Sequence, residues 1–141
     1  MEGKATLKLR KPLKENIQNL YFENYDVYHC EYVFNKGITK GGDIRTEILG
    51  GNIRVVLPMF PTNDLLSWAF DSEKKLNGEI SIHDAYEESL EKIYFEDARC
   101  VEFHIHYEPG THIPNVMLSL TINARRMIIG DVEYKNPYSK K

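Results

Sequence analysis

A chain of 141 residues is long enough to bury one core and too short for two, since half that length makes only a marginal domain. With 42% hydrophobic and 28% charged residues it has a folding rather than a disordered composition, and a formal charge of −3 with mixed signs excludes a phosphate backbone as its natural partner. The N-terminus MEGKATLKLR has no secretory leader pattern, and no run approaches the ~20 apolar residues of a membrane-spanning helix, so neither a cleaved leader nor membrane insertion is expected.

Period-two patterning begins at once. Ala5, Leu7 and Leu9 alternate with Lys4, Thr6, Lys8 and Arg10, which predicts a strand with one wet face, ended by Pro12. Leu13 to Asn24 is mixed: KENIQNL suits a helical turn and NLYFENY a strand, and the expectation is an excursion whose Tyr and Phe side chains cover the body of the domain. In YDVYHCEYVFNK, Tyr28, Cys30, Tyr32 and Phe34 face one way and His29, Glu31 and Asn35 the other, a half-buried strand. The glycine-dense KGITKGGDIRTEILGG reads as turns and a permissive excursion. A strand resumes over Asn52 to Pro58 with Ile53, Val55 and Leu57 on one side. The period then changes. Thr62 or Asn63 can cap a helix, Asp64 suits its first turn, and Leu65, Leu66, Trp68, Ala69 and Phe70 form its apolar stripe. So short a helix must pack on a sheet to be stable.

Strands fill the rest. Gly78 to His83 alternates between exposed and buried; Leu90 to Phe95 and Arg99 to Tyr107 form a pair joined through Glu96, Asp97 and Ala98, read as a polar hairpin connection. Val116, Leu118, Leu120 and Ile122 alternate with Met117, Ser119, Thr121 and Asn123, and a last short strand runs from Arg126 to Ile129. Roughly seven or eight strands with one helix favour an all-β barrel or strongly curved sandwich over a helix-covered parallel sheet.

Chemistry finds little purchase. His104 and His106 share a strand face with Glu102, and His112 follows in the next loop, a pattern that could hold zinc but also arises on any solvated or interfacial strand face. His29 with Cys30, and His83 with Asp84, are adjacent on strands, so their side chains point to opposite faces. No GxSxG elbow occurs, GITKGGD lacks the order of a phosphate-binding loop, and Glu87, Glu88, Glu91, Glu96 and Asp97 read as a solvated rim. Cys30 and Cys100 lie in alternating apolar segments without a CxxC partner and are expected to be buried free thiols. No catalytic, metal or cofactor site is predicted, and the chain is not expected to be an enzyme.

Taken together, the order YDVYHCEYVFNK, glycine-rich loop, GNIRVVLP, LLSWAF, YFEDARCVEFHIHYE and NVMLSLTINARRMIIGDVEYKN resembles the haemolysin-coregulated tube protein of type VI secretion systems, in the divergent branch found in Bacteroidetes. The resemblance runs from about Asp26 to Asn136 and rests mainly on His29 to Tyr32, Trp68 and Leu120 to Gly130. It implies a closed or nearly closed β-barrel of two antiparallel sheets with a short helix. It also implies a hexameric ring that stacks into a tube, with sheath, spike and effector proteins as partners, and export without a signal peptide. On this reading the chain is a single domain over 1–141 with an insertion at about 12–24 and an extended loop at about 36–51. Ile38, Asp43, Ile44, Arg45, Ile48 and Leu49 of that loop are the candidate oligomer interface. The family's order departs here in the longer Pro12 to Asn24 segment and in a loop without proline. The competing readings are a monomeric ligand-binding barrel, which needs an open mouth and an underfilled core, and a metal-dependent hydrolase built on Glu102, His104 and His106.

Overall fold

The computed structural model describes residues 4–12, 20–38, 44–86, 88–110 and 115–136, with the backbone alone described for 35–38 and 44–50. Strands β1 (Lys4–Arg10), β2 (Tyr21–Val27), β3 (His29–Ile38) and β4 (Ile44–Leu57) precede helix α1 (Asn63–Phe70). Strands β5 (Leu76–His83), β6 (Ser89–Glu108), β7 (Asn115–Ile129) and β8 (Val132–Lys135) follow it. Every pairing is antiparallel, in the order β2-β1-β5-β6-β7-β4-β3, with β8 added on β7.

The fold is mainly β with one short helix, as the patterning predicts, but the expected two sheets are one continuous hydrogen-bonded sheet. The long strands β6 and β7 cause this: their hairpin is shared between the β5 side and the β4 side. The hydrogen-bonded order is an open path whose two terminal strands, β2 and β3, are consecutive in the chain and meet at a bend at Tyr28. There the Tyr28 N–H donates to the Val56 carbonyl at 2.8 Å, so the corner is tied to β4.

The polar hairpin expected at Glu96 to Ala98 is absent; these residues lie inside β6. Leu76 pairs with Ala98 and Gly78 with Phe95, so Glu96 and Asp97 together face Asn77, a β-bulge. Asp97 takes φ 50, its N–H donates to Asn77 Oδ1 at 2.8 Å, and Arg125 Nε donates to its Oδ2 at 2.9 Å. Polar residues that look like a turn in sequence are thus the components of a bend within one strand. Similarly, Arg126 to Ile129 is the end of β7, and Val132–Lys135 pairs back on it as a strand the sequence pattern did not reveal.

Leu7, Leu9, Ile53, Val55, Leu57, Leu76, Ile80, Ile93, Phe95, Leu118, Leu120 and Ile122 fill the core from the inner faces of five strands, and α1 closes it with Leu65 and Trp68. The Thr62 hydroxyl caps α1, accepting from the Leu65 N–H at 3.2 Å, and it also bonds the Tyr25 hydroxyl at 3.1 Å. Trp68 Nε1 donates to the Ala98 carbonyl at 3.0 Å, which pins the helix to the bent point of β6. Gly78 is required by close approach: a Cβ there would meet the Lys8 carbonyl and lie 2.6 Å from Phe95 Cζ. The alternation expected in β5 is not seen, because Asn77, Glu79 and Ser81 are buried as well as the apolar residues. Lys8 lies 3.8 Å from Glu79, and Tyr21 packs under Lys8 and Arg10 with its ring centroid 4.9 Å from the Arg10 guanidinium carbon. Tyr21 thereby realises part of the aromatic cover expected of the Leu13 to Asn24 segment, whose residues 13–19 lie outside the described set.

Candidate assembly surface

Past its bulge, β6 changes character. From Arg99 to Glu108 it pairs with β7 on one side, and among the described residues no strand pairs with its other side. On the far flank, among the described residues, β3 pairs with β4 alone. Between them lies a four-stranded portion, β6-β7-β4-β3, whose register places residues of one face in rows across it. Glu102, Thr121, Arg54 and Glu31 form one row; His104, Ser119, Val56 and His29 form the next. In the middle of the face β7 presents the small, uncharged Thr121 and Ser119 beside Arg54 and Val56 of β4, and Asn123 Nδ2 donates to Asn52 Oδ1 at 2.7 Å. Three antiparallel steps separate β6 from β3, so the two open edges run in opposite directions.

The opposite face of the same overhang is apolar. Phe103 stands 6.4 Å, centroid to centroid, from Phe70, which is 78% exposed, and Tyr107 stands 5.7 Å from Phe60. Ile105 and Tyr107 are 41 and 48% exposed, and Val101, unpaired where the register shifts between Cys100 and Glu102, is 58% exposed. A free strand edge carrying apolar side chains is an aggregation hazard in a lone molecule and a ready contact in an assembled one.

The residues assigned to the interface from sequence sit on a hairpin arm. The expected glycine-rich excursion is largely paired: Asn35 faces Leu49, Lys36 faces Ile48 and Ile38 faces Ile44, which places Ile38, Ile44, Arg45, Ile48 and Leu49 in β3 and β4, while Asp43 lies outside the described residues. The arm leaves the sheet where β4 stops pairing with β7, at Asn52 opposite Asn123. At that point Val33 faces Asn52 but Phe34 faces Gly50, leaving Gly51 unpaired at φ 73. Tyr134 of β8 covers it, with its ring 4.8 Å from that of Phe34 at an interplanar angle of 67°. The sequence reading missed Asp97, Tyr134 and the open edge of β6; the Gly50-Gly51 pair inside a strand pattern was the available sign of a bulge.

His106 Nε2 lies 3.2 Å from Glu108 Oε1, and His29 Nε2 lies 3.9 Å from Glu31 Oε2. Among the described residues no three His, Cys, Asp or Glu side chains are grouped to hold a metal ion, and His112 lies outside them. Cys30 and Cys100 are half-buried free thiols, each pushed up to about 11 by desolvation. An open cavity of about 560 Å³ lies at the other end of the sheet, lined by Ala5, Val27, Cys30, Ile82, His83 and Leu90 among others. It opens to solvent rather than into the core, which Trp68, Phe95 and the aliphatic rows occupy. No described helix is long and apolar enough to cross a membrane.

A mainly β domain with one short helix, whose strand order leaves edges open among the described residues, is the class this architecture defines. The family model described as hemolysin coregulated protein Hcp (TssD) matches residues 1–138, and the chain belongs to that family, the tube proteins of type VI secretion systems. Hcp1 from Flavobacterium johnsoniae, itself from the Bacteroidetes, is similar in structure, with a TM-score of 0.76 at 16% identity over 94% of this chain and 99% of that one. Hcp1 from Salmonella typhimurium gives 0.67 at 10% identity over 95% and 92% of the two chains, and secreted protein Hcp3 from Pseudomonas aeruginosa gives 0.58 at 14% over 98% and 99%. No curated protein sequence matches the chain significantly.

Proposed function

We propose that this chain is the repeating subunit of a type VI secretion tube, closing as a hexameric ring that stacks on others and accommodates effectors. Sheath and spike proteins are its further partners, and it leaves the cell through the type VI apparatus. The observation that carries this is the β6-β7-β4-β3 portion with an open edge on each side. A ring needs a heterologous contact, in which one surface of a subunit meets a different surface of the next. Copies related by rotation about an axis keep their strand directions along it. The β3 edge of one copy would therefore meet the β6 edge of the next in antiparallel sense, and main-chain hydrogen bonds would continue the sheet from copy to copy.

Within each subunit, the Tyr28 corner brings the two ends of the strand path into one continuous stretch of chain, and this supports a nearly closed barrel. The arm is then free to reach a neighbour, with Ile38, Asp43, Ile44, Arg45, Ile48 and Leu49 as its contact residues. Negative-stain imaging and native mass spectrometry at tens of micromolar should show rings of six copies; a monomer at every concentration and salt would sink the reading. Replacing Ile44 and Ile48 together with Asp should weaken association while leaving the melting temperature of the monomer in place, because a charge buried at an interface loses its hydration without gaining a partner. Unchanged rings would remove the arm from the contact.

A further inference from the structure

The structure assigns Gly51 and Tyr134 a joint role as positioning residues: they set the direction in which the β3–β4 arm leaves the sheet. This rests on the reading of the arm as a contact element. Three observations converge on one point of the chain. The first is the end of the β4–β7 ladder at Asn52, beyond which, among the described residues, the two strands of the arm pair only with each other. A two-stranded hairpin is marginal by itself, so its order depends on how its root is seated.

The second is the bulge at that root. The unpaired residue is a glycine at φ 73, the left-handed region that other residues occupy only with strain. A bulge bends its strand and increases its twist, so Gly51 turns the arm away from the course β4 would otherwise keep.

The third is the side chain laid over the bend. A Cβ built on Gly51 would lie 2.5 Å from Tyr134 Cε2 and 3.1 Å from its Cζ, so the ring rests directly on the glycine backbone. The same ring meets Phe34, the arm-side residue at the bulge, edge to face. Tyr134 is in turn held by β8, where it pairs with Met127, with Arg126 Nε 3.0 Å from Glu133 Oε1 beside it and the Asn136 N–H donating to the Arg125 carbonyl at 2.8 Å just beyond. The short terminal strand thus acts as a stop against which the root of the arm is set. A simpler role, in which Tyr134 only fills space, would change stability without changing the arm.

Amide hydrogen exchange on the full chain separates the two roles, with Tyr134→Ala, Tyr134→Phe, Gly51→Ala and the double variant Gly51→Ala/Tyr134→Ala. In Tyr134→Ala, exchange of the 44–50 amides should rise about tenfold or more while the Leu118 to Ile122 amides of β7 keep their rates, and Tyr134→Phe should restore the wild-type pattern. Gly51→Ala should disturb the arm more in the wild-type background than beside Tyr134→Ala, where the obstructing ring is gone. Arm exchange that does not respond to Tyr134→Ala, or that rises only together with the β7 amides, overturns the assignment. The measurement is made on the monomer, so a failure to form rings would count against the tube reading without touching this result. Where rings form, Tyr134→Ala should also weaken their assembly about tenfold, with Tyr134→Phe as the rescue.

Discussion

The two halves of β6 belong to one strand and are treated differently by the fold. From Ile93 to Ala98 it has β5 on one side and β7 on the other, and it places Ile93, Phe95 and Ala98 in the core. From Arg99 to Glu108 it has β7 alone, and most of its side chains are exposed. The Asp97 bulge divides them, with the Trp68 hydrogen bond to Ala98 on its core side. A strand saturated on both edges holds a molecule together. One left unsaturated keeps its main-chain donors and acceptors for another molecule, and charged or polar residues such as Glu102, His104 and His106 blunt that edge until then.

The comparison can be broken first in the saturated half. Trp68→Ala removes the largest buried side chain and the donor to Ala98, and should cost about 3–5 kcal/mol, read as a large loss in denaturant midpoint. Asp97→Ala attacks the divide: it loses the Arg125 partner and places a less tolerant residue at φ 50, for about 1–2 kcal/mol by the same measurement. Asp97→Asn should cost less, since asparagine tolerates that backbone conformation and keeps an acceptor. In the unsaturated half, Ile105→Lys should change monomer stability by less than about 0.5 kcal/mol yet weaken association at least tenfold in sedimentation experiments. Equal effects of Trp68→Ala and Ile105→Lys on stability would erase the distinction.

The smallest effect at neutral pH comes from the thiols. Desolvation raises Cys30 and Cys100 from 9.0 to about 11 and Tyr25 from 10.0 to about 12. Raised values in the folded state mean that the protonated forms are favoured there. Their contribution is therefore complete below pH 9 and is lost as the pH climbs through the folded values. Melting temperatures should be insensitive to these groups up to pH 8 and fall from about pH 9 upward, with Cys30→Ala/Cys100→Ala flattening the first part of the decline. A decline that begins below pH 8 and disappears in the double variant would contradict this.

Strict alternation made β1, much of β3 and the middle of β7 legible, and the change of period at Thr62 located α1. What stayed hidden was non-local. The Glu96-Asp97-Ala98 stretch reads as a turn until Asn77, far back in the chain, supplies the acceptor that lets a strand pass through it. Glu79 and Ser81 read as solvent-facing until β1 and Tyr21 come to lie beside them. The arm residues were found as a glycine-rich stretch, but their pairing depends on Ile38 finding Ile44 and on the bulge at Gly51. The open edge of β6 is a product of strand order alone, so no local pattern could announce it.

At Tyr28 the chain passes directly from one terminus of the strand order to the other, which governs how the molecule can be made. Hairpins β3–β4 and β6–β7 join neighbours along the chain, but Lys4 must find His83 and Asn52 must find Asn123 before the sheet exists. So many distant pairings place refolding in the millisecond-to-second range rather than the microseconds of helical bundles. During that interval both terminal strands are bare, and a newly made chain meets its siblings before its own ends are in place. Dilute synthesis or a holding chaperone would therefore raise the yield of correctly built subunits.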